Sequence, residues 1–147
     1  ITLEDKRWMQ CDIKSISLSF NSYAKTLADK LDAYEAILIR DGNITEGCSS
    51  NIFIIKDNVI KTAPKSNLIL PGVTRAFIIE KVIKNNDFKI HEESFDVGEL
   101  LKADEVFLTN SSQGILSIKK IDKHIIKTKS ENNITQKLFN SYKEFLE

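Results

Sequence analysis

The sequence predicts an α+β fold of one domain, and three observations support this prediction. Apolar residues recur three and four positions apart over residues 18–31, which is the spacing of one helical face. A strongly apolar strand at 51–56 is joined by Asp57-Asn58 to a second strand at 59–62, which is typical of a β-hairpin. The 147 residues, with 41% hydrophobic content, are enough for one core and too few for two comfortable ones. Hairpins mixed with helices indicate α+β rather than a regular βαβ series.

The other elements follow from the same periodicities and from turn residues. Strands are expected at 1–3, 8–13, 34–40, 43–46, 51–56, 59–62, 88–95, 105–109, 115–121 and 124–127. Asp41-Gly42 and Asp122-Lys123 supply the turns of two further hairpins. Asp96 is expected to cap a short helix that runs through Leu101. The remaining helices are expected at 18–31, 74–83 and 130–147.

The charge balance argues against several classes of partner. Lys plus Arg and Asp plus Glu number 21 each, so no basic excess draws nucleic acid or a membrane surface. No apolar run approaches the length of a membrane span, and the charged residues 4–7 do not resemble a secretory signal. Two cysteines, Cys11 and Cys48, are too few for a disulfide framework and suit a reducing cytoplasm. We therefore expect a cytoplasmic protein whose partners are small molecules or protein.

Lys14 stands in a setting that most lysines avoid. It follows a run with Trp8, Met9, Cys11 and Ile13, which we interpret as a short, half-buried strand. Burial disfavours an ammonium ion, so a lysine held there can be neutral near pH 7 and attack a carbonyl carbon to form a Schiff base. The competing interpretation is a surface lysine whose stem packs on apolar neighbours. Three polar stretches further along the chain support the interpretation of Lys14 as a reactive amine.

The stretch from Pro71 to Arg75 is predicted to open a helix directly after an apolar strand. Free backbone N–H groups and the positive end of the helix dipole suit an anion at this position. Thr74 adds a hydroxyl, and Gly72 lets a ligand oxygen approach the backbone closely. The alternative is that Pro71 and Gly72 only start the helix.

Two further polar stretches accompany predicted strands. The Thr-Asn-Ser-Ser cluster at 109–112 offers hydroxyls and amides to a second side of an anion, or else forms a plain Asx turn. Glu46 ends a strand and can accept a proton from a ring nitrogen, or else faces water as a turn residue. His91 and His124 lie far apart, and no GxSxG, HExxH or Walker-type motif is present. Metal-dependent and hydrolase chemistry is therefore set aside.

Together these stretches resemble the class IV aminotransferases, the pyridoxal-phosphate enzymes of fold type IV, and within them the D-amino-acid aminotransferases. Arg7-Trp8 and residues 11–15 are similar to the family's segment around its Schiff-base lysine. Residues 46–51 are similar to the segment whose glutamate pairs with the pyridine nitrogen. Residues 70–75 and 109–112 match the family's two-sided phosphate cup. The similarity covers essentially the whole chain, in the family's order and close to its spacing.

The resemblance implies a fold, a cofactor and roles for seven residues. The fold would be that of the C-terminal domain of the D-amino-acid aminotransferases, a mixed, barrel-like sheet core flanked by helices. The cofactor would be pyridoxal 5'-phosphate, with Lys14 forming the Schiff base and carrying the substrate's α-proton to C4′ of the cofactor. Glu46 would keep the pyridine nitrogen protonated, and Leu70 would pack against the ring. The phosphate would be held by Val73, Thr74, Asn110 and Ser111.

The reaction implied is amino transfer between a D-amino acid and a 2-oxo acid in a homodimer. The family also has an N-terminal domain that helps to bind the phosphate and the substrate carboxylate. The resemblance places none of that domain within residues 1–147, so we expect this chain to be the C-terminal cofactor-binding domain alone. The start at Ile1, without a methionine, likewise suggests a piece of a longer polypeptide.

Two alternatives remain open for the reaction. Asn110 stands where the family more often has serine or glycine, and an asparagine there resembles the related aminodeoxychorismate lyases, which eliminate pyruvate. The chain can also be a catalytically incomplete fragment that serves as a folding and dimerising core. The same pocket residues would be present in each case.

Overall fold

The structure, a computed structural model, describes residues 1–128 and 133–146. The strands are β1 Thr2–Glu4, β2 Ile37–Arg40, β3 Asn43–Gly47, β4 Asn51–Lys56, β5 Val59–Thr62, β6 Lys89–Glu92, β7 Glu105–Asn110, β8 Gly114–Ile118, β9 Lys120–Ile121 and β10 His124–Ile125. The helices are α1 Ser19–Lys30, α2 Val73–Phe77, α3 Val97–Lys102 and α4 Ile134–Glu144. Helix α2 continues as a π-helical segment, Ile78–Ile83.

The strands of the described residues divide among three sheets. One sheet has the order β1-β2-β3 and another the order β6-β5-β4-β7-β8, while β9 and β10 pair with each other. The β1–β2 and β5–β6 pairs are parallel and the other pairs are antiparallel. The predicted α+β class with mixed sheets and few helices is therefore confirmed.

The five-stranded sheet is buried on both of its faces. One face packs with α3 and carries Ile52, Ile54, Val106 and Leu108. The opposite face packs with the π-helical segment and α4 and carries Phe53, Ile55 and Phe107. Side chains alternate between the faces of a strand, so a strand covered on both sides must be apolar at consecutive positions. This accounts for the unbroken apolar run at 52–55 within β4.

Several predicted elements are confirmed in detail. The hairpin of β4 and β5 has the predicted bounds, and α1 lies within the predicted 18–31. Asp96 accepts a hydrogen bond from the backbone N–H of Glu99 at 2.8 Å, and the Asp96 N–H donates to Glu99 Oε2 at 3.1 Å. This reciprocal pair is a capping box, which explains why α3 begins at Val97.

Other boundaries differ from the prediction. The strand expected at 8–13 is wrong, since these residues form a loop. The strand expected at 34–40 begins only at Ile37. The strand expected at 88–95 is shorter and corresponds to β6, and the strand expected at 115–121 is divided into β8 and β9. Of the helix expected at 130–147, α4 is present, whereas residues 130–132 and 147 lie outside the described residues. Within 1–128 and 133–146, no helix combines the length and apolarity needed to cross a membrane.

Candidate active site

The seven predicted site residues all line one pocket. Its volume is about 290 Å³, close to the lower end of the range for small-molecule sites. The lining includes Lys14, Glu46, Leu70, Val73, Thr74, Asn110 and Ser111. Four separate segments of the chain thus converge on a single concave surface.

The sheet topology explains this convergence. Glu46 lies near the end of β3, and β4 begins a few residues later at Asn51. In the β4–β7 ladder Asn51 pairs with Thr109, so the start of β4 lies beside the end of β7. The turn before α2 then crosses this junction, since the Asn51 side chain donates a hydrogen bond to the carbonyl of Leu70 at 2.9 Å. Lys14 enters from the loop that precedes α1.

The prediction that Lys14 is half-buried on a strand is wrong. Lys14 is exposed, although it lines the same pocket as Glu46 and the start of α2. Trp8, Met9 and Ile13 are exposed by 44%, 57% and 52%, so these apolar residues mark no buried strand. The argument from burial to a reactive amine therefore does not hold for Lys14, and its candidacy depends on its position.

The loop at 8–13 is held by polar contacts instead of a strand ladder. The backbone N–H of Cys11 donates to the carbonyl of Asn67 at 2.8 Å, and the Asn67 side-chain amide donates to the carbonyl of Met9 at 2.7 Å. The thiol of Cys11 is buried and donates to the carbonyl of Trp8 at 3.1 Å. These bonds fix the path of the chain just before Lys14.

Glu46 does not face water as a turn residue, because it is only 4% exposed and is held by three donors. The backbone N–H of Leu70 donates to Oε1 at 3.0 Å and to Oε2 at 3.1 Å. Asn51 Nδ2 donates to Oε2 at 3.0 Å, and Arg7 Nη1 donates to Oε1. Burial raises the pKa of Glu46 to about 7, although Arg7 and the Leu70 N–H favour the ionised form.

Arg7 belongs to a buried charge network that the sequence did not reveal. Its guanidinium also donates from Nη2 to Asp5 Oδ2 at 2.8 Å and to the carbonyl of Leu68 at 3.0 Å. Burial raises the pKa of Asp5, but the hydrogen bonds and charge of Arg7 outweigh it and hold that pKa below its ordinary value. Asp5-x-Arg7 is a local charge pair visible in the sequence, whereas the contact with Glu46, 39 positions away, has no sequence signal.

The other end of the pocket is polar and lies at the start of α2 and the end of β7. Gly72 has no side chain to cap α2, Thr74 is buried, and Val73 is 77% exposed. The side-chain oxygen of Asn110 accepts from the Gln113 N–H at 2.8 Å, so this cluster does form an Asx-type turn. The hydroxyl of Thr109 is buried and makes no hydrogen bond within the described residues.

A family model for amino-transferase class IV matches residues 2–121. A D-alanine aminotransferase of Bacillus licheniformis is 41% identical over 136 residues, which are 92% of this chain and 48% of that protein. The chain thus spans about half the length of the curated relatives it matches.

Solved structures of aminotransferases and of a related lyase are also similar to this chain. The branched-chain amino acid aminotransferase of Thermobaculum terrenum in its PLP form has a TM-score of 0.86 and 25% identity, covering 93% of this chain and 45% of that one. A Legionella pneumophila protein described as a 4-amino-4-deoxychorismate lyase has a TM-score of 0.84 and 27% identity, covering 97% of this chain and 55% of that one. With the family model spanning most of its length, this chain belongs to the class IV aminotransferases.

Proposed function

We propose that this chain is the cofactor-binding domain of a pyridoxal-phosphate-dependent aminotransferase that moves an amino group between a D-amino acid and a 2-oxo acid. The observation that carries the proposal is the presence of an amine, a buried carboxylate and a polar helix start in one pocket, at Lys14, Glu46 and Val73–Thr74. The D-alanine aminotransferases among the relatives favour a D-amino acid as the donor.

The residues present fit the cofactor at both of its ends. When bound, pyridoxal phosphate supplies an aldehyde that joins the substrate's amine and a ring that accepts electrons from its α-carbon. Lys14 would hold the aldehyde carbon covalently until the substrate displaces it, and its amine would then move the proton at the α-carbon. The exposure of Lys14 leaves its amine accessible to both molecules.

Glu46 is suited to hold a proton on the ring nitrogen. A carboxylate offers about four lone-pair positions. Arg7 donates to Oε1 and Asn51 to Oε2, and the Leu70 N–H is shared between the two oxygens. Three donors therefore leave about one lone-pair position for a further N–H. With a pKa near 7, Glu46 shares a proton readily with a pyridine nitrogen. Leu70, whose N–H fixes Glu46, would lie against the ring.

The phosphate would lie at the opposite end of the pocket. Val73 and Thr74 would donate backbone N–H groups of the first turn of α2, and Thr74 its hydroxyl. Asn110 and Ser111 would donate from the end of β7. Because the Asn110 side-chain oxygen is engaged in its own turn, its amide nitrogen is the group left to face the anion.

We also propose that the whole protein is a cytoplasmic homodimer in which further protein covers this pocket. Exposed apolar side chains support this, since Trp8, Ile13, Leu18 and Val73 line the pocket and are 44% to 77% exposed. Free thiols at Cys11 and Cys48 suit a reducing compartment. Sedimentation of the full-length protein gives the subunit number, and a monomer at micromolar concentration contradicts the homodimer.

The activity is tested on the full-length protein with D-alanine as the donor and 2-oxoglutarate as the acceptor. An aminotransferase forms pyruvate in amounts that follow the 2-oxoglutarate supplied, and none beyond one turnover without it. Lack of this dependence contradicts the proposal.

A lyase is the second candidate, favoured by Asn110 and by the similarity to the Legionella pneumophila protein. A lyase releases pyruvate from 4-amino-4-deoxychorismate continuously and with no 2-oxo acid present. The same pyruvate assay therefore separates the two reactions. If the full-length protein is active in one of these assays and residues 1–147 alone are active in neither, the chain is a catalytically incomplete fragment.

A further inference from the structure

We propose that Asn51 is a positioning residue that holds Glu46 and the turn at 70–74 in one arrangement, and that Gly72 lacks a side chain so that Asn51 can do this. The inference rests on the proposed function, because its consequence is for the binding of pyridoxal phosphate. Asn51 itself would touch neither the substrate nor the reacting atoms.

The side-chain amide of Asn51 joins the two parts directly. Its nitrogen donates to Glu46 Oε2 at 3.0 Å and to the carbonyl of Leu70 at 2.9 Å. These two bonds use both amide protons, and Asn51 is only 5% exposed. Since the Leu70 N–H donates back to Glu46, the three residues form a closed hydrogen-bonded ring. No partner can move without breaking one of these buried or partly buried hydrogen bonds.

Gly72 is fitted to the other side of the same amide. Its φ of −56° is open to any residue, so the backbone does not require glycine here. A Cβ at this position would lie 2.5 Å from Asn51 Oδ1, while the next atoms, Asn51 Cγ and Arg75 Cβ, lie at 3.7 and 3.8 Å. The Asn51 side chain is thus the only one of these neighbours that lies too close for a Cβ. Its two hydrogen bonds prevent it from swinging aside.

The backbone of Asn51 is fixed as firmly as its side chain. It begins β4 and lies opposite Thr109 in the ladder with β7, whereas the ladder with β5 begins two residues later, at Phe53. Asn110 and Ser111 follow Thr109 directly. Asn51 therefore stands where the carboxylate, the turn before α2 and the end of β7 meet, at the start of the central strand of the five-stranded sheet.

The test compares Asn51→Ala with Asn86→Ala in the full-length protein. Asn86 is a matched control, since its amide also donates two hydrogen bonds, to the Val82 carbonyl at 2.8 Å and to Ser141 Oγ at 3.1 Å, away from the pocket. Both variants are expected to unfold at lower denaturant concentrations. Only Asn51→Ala is expected to raise the Kd for pyridoxal phosphate, by about tenfold, as for one lost bond to a charged group.

A second readout needs no cofactor. Carbon-13 labelled glutamate reports the titration of Glu46 by NMR, assigned by its loss in Glu46→Gln. In Asn51→Ala, the pH midpoint of the Glu46 titration is expected to rise by about one unit, since the hydrogen bond from Asn51 favours the ionised carboxylate. Asn86→Ala is expected to leave the midpoint unchanged. An unchanged midpoint in Asn51→Ala overturns the inference.

Gly72→Ala tests the steric half of the inference. It is expected to raise the Kd for pyridoxal phosphate about as much as Asn51→Ala does, and to add less than a further twofold in the Asn51→Ala background, where the obstacle is gone. If the increases in Kd caused by Gly72→Ala and Asn51→Ala multiply in the double variant, the two residues act independently. That result overturns the steric half of the inference. If the unaltered protein and Asn86→Ala bind the cofactor and Asn51→Ala binds it equally well, the inference alone fails. If the unaltered protein takes up no cofactor, the proposed function fails, and the Glu46 midpoint alone then decides whether Asn51 holds the carboxylate.

Discussion

The backbone N–H of Leu70 donates to both carboxylate oxygens of Glu46, at 3.0 and 3.1 Å. This contact joins the end of β3 to the turn before α2, two segments 24 positions apart in the chain. The residue expected to lie against the cofactor ring is thereby fixed to the residue expected to bind its nitrogen. A site whose parts are hydrogen-bonded to one another needs little rearrangement when a ligand enters.

The raised pKa of Glu46 predicts a pH dependence of stability. In the folded protein the pKa is about 7 against an ordinary 4.5, so the folded state keeps a proton that the unfolded chain releases. The stability that Glu46 contributes is therefore fully present below pH 4.5 and is lost as the pH rises through about 7. The loss is on the order of 3 kcal/mol, at about 1.4 kcal/mol for each pKa unit.

Urea unfolding of the cofactor-free protein between pH 5 and pH 8 checks this dependence. Glu46→Gln cannot titrate, so the gap in unfolding free energy between the variant and the unaltered protein should change across this range. Asp5 titrates in the opposite sense and below its ordinary 3.8, so it does not contribute here. Parallel pH profiles for the two proteins would show that Glu46 has an ordinary pKa.

Lys14→Ala is expected to remove the visible absorption of bound pyridoxal phosphate while leaving the fold intact. Lys14 is exposed, and its side chain makes no hydrogen bond or ion pair identified among residues 1–128 and 133–146. The melting temperature should therefore change by less than about 2 °C, as for most surface substitutions. Lys65→Ala, at another exposed lysine, serves as the control and should keep the absorption band. Retention of the band in Lys14→Ala would exclude the covalent role.

Gly114→Ala is expected to destabilise the protein much more than Gly42→Ala. Both glycines have positive φ, +67° and +80°, which costs about 1–2 kcal/mol for alanine. At Gly114 a Cβ would also lie 2.2 Å from Tyr142 Cε1, whereas nothing lies within 4 Å at Gly42. Crowding adds about 1–3 kcal/mol at Gly114 alone. Equal losses in chemical denaturation would mean that α4 does not pack against the start of β8.

Glu105→Gln is expected to loosen α4 from the sheet. The buried carboxylate of Glu105 accepts from the backbone N–H groups of Ile134 and Thr135, both at 2.8 Å, and so caps the helix from the start of β7. A glutamine can accept only one of these bonds, which costs about 1.5–3 kcal/mol. Asp96→Asn, at the exposed cap of α3, should cost less than about 0.5 kcal/mol. Hydrogen exchange of the α4 backbone amides measures this loosening. Unchanged exchange in Glu105→Gln contradicts the prediction.

The sequence was sufficient where local pattern decides the structure. The helical spacing at 18–31 and the turn at 57–58 predicted α1 and the β4–β5 hairpin, because a helical face and a tight turn are encoded within a few residues. The polar stretches at 46, 70–74 and 110–111 line one pocket. Only the resemblance to a family had grouped them, since no local rule brings distant segments together.

The sequence was insufficient where the structure depends on side-chain exposure and on ion pairs between distant segments. The run from Trp8 to Ile13 has the composition of a strand but finds no ladder partner, and only Cys11 of its apolar residues is buried. Arg7 lies within the charged stretch 4–7, and its guanidinium is buried between Asp5 and Glu46. Composition cannot distinguish these cases, because burial is set by segments elsewhere in the chain.

The most direct test of the central claim is to locate the cofactor on the chain. The full-length protein is incubated with pyridoxal phosphate, reduced with borohydride and digested, and the modified peptide is identified by mass spectrometry. The account predicts one modification per chain, at Lys14. Modification spread over other lysines, with none concentrated at Lys14, would contradict it.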